Sequence, residues 1–308
     1  MTRELKLAWI AWMTVCVVWG TTYLAIRVAL ETVPVALVAG LRWTAAGLLL
    51  AVVLTAAGRR LPGPRTWASL ALLGFLMNVV GNGFVVWAEQ HVPSGLTAVV
   101  VGTVPFWFVC IEAVLPRGER LTARTLAGLA IGFAGIVVLV WPEMVAGGSE
   151  GRAMFMGVLA LQVACAGWAL GSSCTRRLAA SSDALSAAAM QMLFSGVILL
   201  GIATAGGEWS ELHFTARSLG AMVYLTLVGS AVAYTAYVYA IGHLPMSTVS
   251  LYAYINPIIA VVLGALLLGE PFSIRIVIAS VLVLAGIAVV RGVQSRRVSS
   301  AAPRRAHA

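Results

Sequence analysis

Charge is scarce in this sequence. Acidic and basic side chains make up 10% of its 308 residues, where a soluble domain carries about a quarter. Cysteine is sparse too. Cys16, Cys110, Cys165 and Cys174 lie inside apolar stretches without metal-ligand spacing, which makes them packing residues and gives no reason to expect a metal or other cofactor. Several chemical signatures are missing. There is no H-E-x-x-H zinc motif and no G-x-x-x-x-G-K-[ST] loop, so the chain carries no site for direct ATP use. It also has no pair of intramembrane aspartates and no serine–histidine pair at membrane depth. These absences argue against an intramembrane enzyme. A sensor would need a signalling segment, and the connecting loops are too short to fold as one.

What remains is mostly hydrophobic, 61% of the chain. The apolar residues fall into ten runs, at about 7–29, 35–57, 66–88, 95–115, 122–141, 153–174, 184–205, 217–240, 246–268 and 273–291. Each is roughly 18 to 24 residues long, the length that spans a bilayer core. The expected fold is an all-α integral membrane protein with ten transmembrane helices. The first run follows the basic start "MTRELK" but is too long for a signal peptide and lacks an A-x-A site, so it reads as a retained helix. The segment 292–308 is basic and rich in small residues, and reads as a disordered cytoplasmic tail.

The net charge of +9 reports orientation. If the chain starts in the cytoplasm and alternates sides, fifteen basic residues fall inside, among them Arg59, Arg60, Arg117, Arg120, Arg176 and Arg177. Four fall outside: Arg27, Arg152, Arg217 and Arg275. This bias puts both termini in the cytoplasm. The partners it suggests are the lipid bilayer and its anionic headgroups, with no nucleic acid; a homodimer is left open. The predicted location is a bacterial inner (plasma) membrane.

The chain also echoes itself. "EQHVPSG" at Glu89–Gly95 has a counterpart in "IGHLPMS" at Ile241–Ser247, with His91 and His243 separated by 152 positions. Pro93 and Pro105 match Pro245 and Pro257 at the same offset, and "GERLTAR" (Gly118–Arg124) meets "GEPFSIR" (Gly269–Arg275) one residue earlier. "AGIVVL" at Ala134 meets "AGIAVV" at Ala285. Nearer the start of each half the offset is 149, pairing Trp19 with Trp168, Arg27 with Arg176, Arg42 with Gln191 and Gly47 with Gly196. Residues 1–141 and 152–291 are thus expected to be two repeats of five helices each. Because five is odd, the second enters the membrane the opposite way up. Inverted repeats of this kind belong to alternating-access transporters, with the site between the halves. The two histidines would then lie on opposite faces, as loop punctuation before proline.

The strings "VVWG", "GLRWTAAGLLL", "NGFVVWAEQHVPSGLTAVVVGTVPFW" and "YAYINPIIAVVLGALLLGEPF" resemble the EamA family of the drug/metabolite transporter superfamily, over roughly residues 8 to 292. "AEQHVPSGLTAVV" is similar to a branch of drug or amino-acid metabolite exporters. The resemblance implies ten helices, a central cavity between repeats, and efflux of small organic molecules. Helices five and ten would be peripheral.

Candidate site residues are polar or aromatic side chains at membrane depth. Asn78, Asn82 and Glu89 share one face of the third run, with Glu89 expected as a solvated carboxylate at the rim. The matched face of the eighth run carries Ser230, Tyr234 and Tyr237. Tyr252, Tyr254 and Asn256 precede Pro257, where a missing backbone hydrogen bond would leave a kink. Rings with polar edges suit amphipathic organic ligands. Arg42 sits roughly 10 Å into the second helix and needs a partner; its match, Gln191, is polar too. Trp19 precedes the hydroxyls of Thr21 and Thr22, as matched Trp168 precedes Ser172 and Ser173, which serve either a ligand or close helix packing. Arg27 and Glu31, four apart, are expected to pair. "GLAIG" at Gly128–Gly132 fits small-residue helix packing. Glu112 is the one carboxylate within a predicted span, a candidate for proton coupling.

The expected function is a secondary transporter exporting small organic metabolites, amino-acid-like solutes or drugs. A facilitative permease without ion coupling is the alternative, ahead of an intramembrane enzyme or a sensor.

Overall fold

The computed structural model describes residues 2–114, 122–146, 148–178, 183–244, 246–249, 251–270 and 272–301. Several sequence expectations lie outside these residues: Pro245, the Gly118–Leu121 part of the repeat match, Arg117, Arg120 and positions 302–308 of the tail.

Among the described residues, eight helices are long and apolar enough to cross a membrane. They are α1 (Arg3–Ala29), α2 (Val35–Ala56), α3 (Pro64–Ala88), α4 (Ser94–Val114), α5 (Ala123–Pro142), α6 (Gly148–Thr175), α7 (Ala184–Ala205) and α8 (Ala216–His243). Two shorter apolar helices follow, α9 (Tyr252–Leu268) and α10 (Ile274–Val290), the latter continuing to Ala301. The run expected at 246–268 is divided, with a one-turn helix at Met246–Val249 ahead of α9. Large apolar side chains point outward from the bundle, such as Val52 at 65% exposed and Leu266 at 75%. That is how a chain bathed in hydrocarbon presents itself.

Local chemistry sets where the helices begin and end. Thr2 caps α1, Asp183 caps α7, and Thr215 with Ser218 forms a reciprocal capping box on α8. α9 stops at Gly269, whose φ of 64° is left-handed and suits glycine. α3 and α8 each contain a π-helical stretch, Phe75–Gly83 and Leu225–Val232. The repeat match places these two stretches over one another. Such widened turns are often found at functional sites.

Packing follows the same matching. α2 runs along α7, and α5 runs along α10. Glycines permit the contact. A Cβ on Gly47 would lie 2.9 Å from the Leu193 nitrogen, and one on its counterpart Gly196 would lie 2.6 Å from the Thr44 nitrogen. At the other crossing, a Cβ on Gly135 would stand 2.8 Å from the Ala279 carbonyl oxygen, and one on matched Gly286 would stand 2.6 Å from that of Gly128. The small-residue string Gly128–Gly132 does pack helix on helix as expected.

Candidate functional site

α1, α6, α8 and α9 bring a group of rings together in the middle of the bundle. Trp19 meets Tyr252 edge-on, with ring centres 5.1 Å apart, and lies beside Tyr237 at 5.2 Å. Its repeat counterpart Trp168 approaches edge-on at 6.5 Å. Tyr237 also contacts Tyr234 and Tyr252, both at 6.2 Å. All five rings are half-buried. Edge-to-face rings of this kind leave faces and hydroxyl edges for an apolar or cationic group.

A polar layer lies about one helical turn from the rings. On α8, Ser230 is one turn before Tyr234; on α1, Thr22 is one turn after Trp19. Between them lies Arg42, 3% exposed, with Nε donating to Ser230 Oγ at 2.8 Å. Its guanidinium also lies over the Trp43 ring, 4.6 Å from the centre. Gly229 allows this approach, since a Cβ there would come 3.6 Å from Arg42 Nη2 and 3.0 Å from Thr22 Cγ2. Arg42 Nη1 is buried with no hydrogen-bond partner among the described residues. The other half offers a related link: Asn78 Nδ2, in the π-helical part of α3, donates to Ser195 Oγ of α7 at 3.0 Å.

The structure thus divides the sequence candidates. Trp19, Tyr234, Tyr237 and Tyr252 come together. Arg42, Asn78 and Gln191 are buried in the helix contacts behind them. Asn82 is half-buried, and its Oδ1 has no partner among the described residues. Tyr254 packs against the main apolar core instead. Asn256 is structural: with its amide turned to donate, it reaches the Cys16 carbonyl at 2.9 Å and the Tyr252 carbonyl at 3.1 Å. Glu112 is half-buried near the end of α4, apart from the rings. His91 packs edge-on to Trp87, while His243 stacks on Tyr239 in a different helix.

The end of the bundle holding Glu31 is heavily tied. α2 and α4 start after Pro34 and Pro93 without a side-chain cap of their own. Carboxylates from the distant half supply the caps. Glu208 accepts from the Ala36 and Leu37 nitrogens at 3.2 and 2.9 Å. Glu270 accepts from those of Ser94 and Gly95 at 2.7 and 3.0 Å. Both use the positive end of a helix. Thr32 Oγ1 donates to Ser218 Oγ at 2.6 Å.

Two expectations fail at this end. Arg27 and Glu31 do not pair: Glu31 bonds Arg217 at 3.2 Å, and Arg27 Nη1 donates to the backbone carbonyl of Glu89. Position along the helix suggested the local pair, but tertiary partners from α8 and α3 are better placed. Glu89 is not a solvated rim carboxylate either. It is 0% exposed, and neither carboxyl oxygen has a hydrogen-bond partner among the described residues. Sequence position put it at the end of a run; the last turns of α3 before it pack against α6 and α2, so that end lies inside the bundle. Glu89, Glu208 and Glu270 are the residues that sequence reasoning underrated. The available signal was that "HVPSG" and "TVPVA" both open helices at proline with no side-chain cap nearby.

Comparison with known proteins agrees with this architecture. The EamA-like transporter family model matches residues 6–141 and again 155–292. The "Uncharacterized inner membrane transporter YedA" of Escherichia coli (strain K12) is 36% identical over 258 residues, covering 83% of this chain and 81% of that protein. A "Probable terminal-alkyne amino-acid exporter" of Streptantibioticus cattleyicolor is 29% identical over 304 residues, covering 97% and 98% respectively. One crystal structure superposes with a TM-score of 0.65 at 21% identity, covering 94% of this chain and 99% of that one, a likeness of fold. With two family matches that together span nearly its whole length, the chain belongs to the EamA-like transporter family.

Proposed function

We propose that this protein is a secondary exporter of small amphipathic organic solutes, amino-acid-like molecules in particular, working by alternating access between two inverted five-helix repeats. The observation that carries the reading is the contact between matched residues. Trp19 and Trp168 touch at the centre, and the matched glycines Gly47 and Gly196 share one helix crossing. Residues related by a pseudo-two-fold axis meet where that axis passes, and transporters of this kind place their solute there. In this reading the Glu31 end faces outward and the Arg59 end faces the cytoplasm, as the distribution of arginine suggests.

The chemistry of the central ring group, which would line the chamber in this reading, supports the solute class. The Trp19, Tyr237 and Tyr252 rings suit an apolar side chain or an ammonium group. One turn away, Arg42 Nη1 offers an unused donor to a carboxylate. An α-amino acid carries both an ammonium and a carboxylate. The exporter from Streptantibioticus cattleyicolor, named for an amino acid, is consistent with this assignment.

Counterflow in proteoliposomes tests it, with a panel of labelled amino acids and cationic drugs. Exchange of at least one amino-acid-like solute is expected, and Trp19→Ala should weaken its half-saturation about tenfold, the loss of a ring contact worth some 1.4 kcal/mol. No exchange of any solute on the panel by the intact protein would overturn the proposal.

A further inference from the structure

We propose that Glu89 is the proton-carrying group of the transport cycle, and that the outward end closes only when its carboxyl is protonated. This rests on the exporter reading above. Four observations lead to it. The Glu89 side chain is wholly enclosed, and both its oxygens lack hydrogen-bond donors among the described residues. An ionised carboxylate in that position is costly, whereas the neutral acid is not. The charged groups that act on it are Glu270, Arg27 and Arg42, with the Tyr23 hydroxyl also within electrostatic reach.

None of the three charged neighbours has a hydrogen bond to the Glu89 carboxyl among the described residues. Arg27 donates to the Glu89 backbone carbonyl, Arg42 to Ser230, and Glu270 accepts from the two nitrogens that start α4. Of the two neighbouring acids, Glu270 therefore has its negative charge stabilised by a helix terminus, and Glu89 does not. Two like charges close together favour leaving one of them protonated. Finally, the enclosure selects the ligand. A side chain with no exposed surface has no room for a metal ion or a solute amine, so a proton is the ligand that fits.

The cycle balances without a further reactant. With the outward end open, the Glu89 carboxylate takes a proton from external water and forms an O–H bond. The end then closes over the neutral acid. When the chamber next opens to the cytoplasm, the proton passes back to water. On α3, seven residues before Glu89 and so roughly 10 Å away, Asn82 has a carbonyl oxygen with no partner among the described residues, a polar stop on the way to the chamber. One proton enters as solute leaves.

Infrared spectroscopy of the full-length protein in bilayers reads the protonated carboxyl directly, without any solute. At neutral pH a carboxylic C=O band is expected that disappears in Glu89→Gln and persists in Glu112→Gln. Glu89→Asp should shift the band but keep it, so the assignment does not depend on one variant folding. In proteoliposomes, Glu89→Gln should lose accumulation driven by a pH gradient. A band that survives in Glu89→Gln, or gradient-driven accumulation that survives in it, overturns the proposal. So does the absence of any such band in the wild type. Failure of the wild type to exchange any solute would instead sink the exporter reading, leaving the infrared result to stand alone.

Discussion

Asp183 shows how much one side chain can organise outside the membrane. Its carboxylate accepts from the Ser186 nitrogen at 3.0 Å and from its hydroxyl at 2.8 Å, and pairs with Arg59 at 3.1 Å. Partial burial pushes the acid up, but the Ser186 hydrogen bonds and the Arg59 charge outweigh it and hold the carboxyl below its ordinary value. The folded state therefore gains stability above about pH 4 and loses it as the pH falls through the lowered value. Asp183→Ala should cost about 1 kcal/mol, mainly through the lost cap. The ion pair is half-exposed on both sides and adds only a few tenths of that. Thermal unfolding in detergent at neutral and acid pH checks this: the deficit of the variant should shrink on the acid side. Other single residues were legible to different degrees. Trp19 was singled out because its match Trp168 is a tryptophan too, and Tyr237 because it continues the face of Ser230 and Tyr234. Glu89 could not be read in this way, since the end of α3 is enclosed by tertiary packing on α6 and α2, which hydropathy does not show.

Among elements, the crossing of α2 with α7 has little slack. A Cβ at Gly196 would fall 2.3 Å from Thr44 Oγ1 and 2.6 Å from the Thr44 nitrogen, so the second contact cannot be relieved by a side-chain rotation. Gly196→Ala should destabilise the fold by about 1–3 kcal/mol. Gly201→Ala lies in the same helix with nothing within 4 Å of the added carbon, and should be neutral or stabilising by up to about 1 kcal/mol. Urea or thermal denaturation of the two variants side by side separates packing from propensity, and equal effects would refute the packing account. The existence of these helices was plain from the apolar runs, because hydrophobic length is set by the bilayer. Their irregularities were not. The π-helical turns in α3 and α8 and the break before α9 leave no trace in hydropathy. A wider turn changes which residues share a face without changing composition, so the grouping of Asn78 with Asn82 and Glu89 was only approximately right.

At the scale of the whole molecule, ties between the halves gather at the Glu31 end. The Thr32–Ser218 hydrogen bond joins the first loop to the start of α8. Replacing both with cysteine should allow a cross-link that holds this end shut. Oxidised Thr32→Cys/Ser218→Cys protein is expected to lose counterflow, with activity restored by a reductant, while either single variant keeps exchanging. Transport that continues through the intact cross-link would show that this end need not open. That the family pattern occurs twice was legible from spacing, because matched prolines, glycines and tryptophans kept their order. Which half caps which was not, because a carboxylate in one loop gives no sign of the helix it will meet.

Trp19 against Trp168, and Gly47 beside Gly196, have a consequence for descent. At these two contacts each half presents to the other the residue type that the other presents to it, the relation two identical subunits have across a two-fold axis. A shorter ancestor carrying one tryptophan and one glycine at these places could have bound a copy of itself inserted the opposite way up. Fusion of the two genes would then have preserved a working interface rather than created one. From that moment the two copies of each position would have been free to differ, as Arg42 and its match Gln191 do.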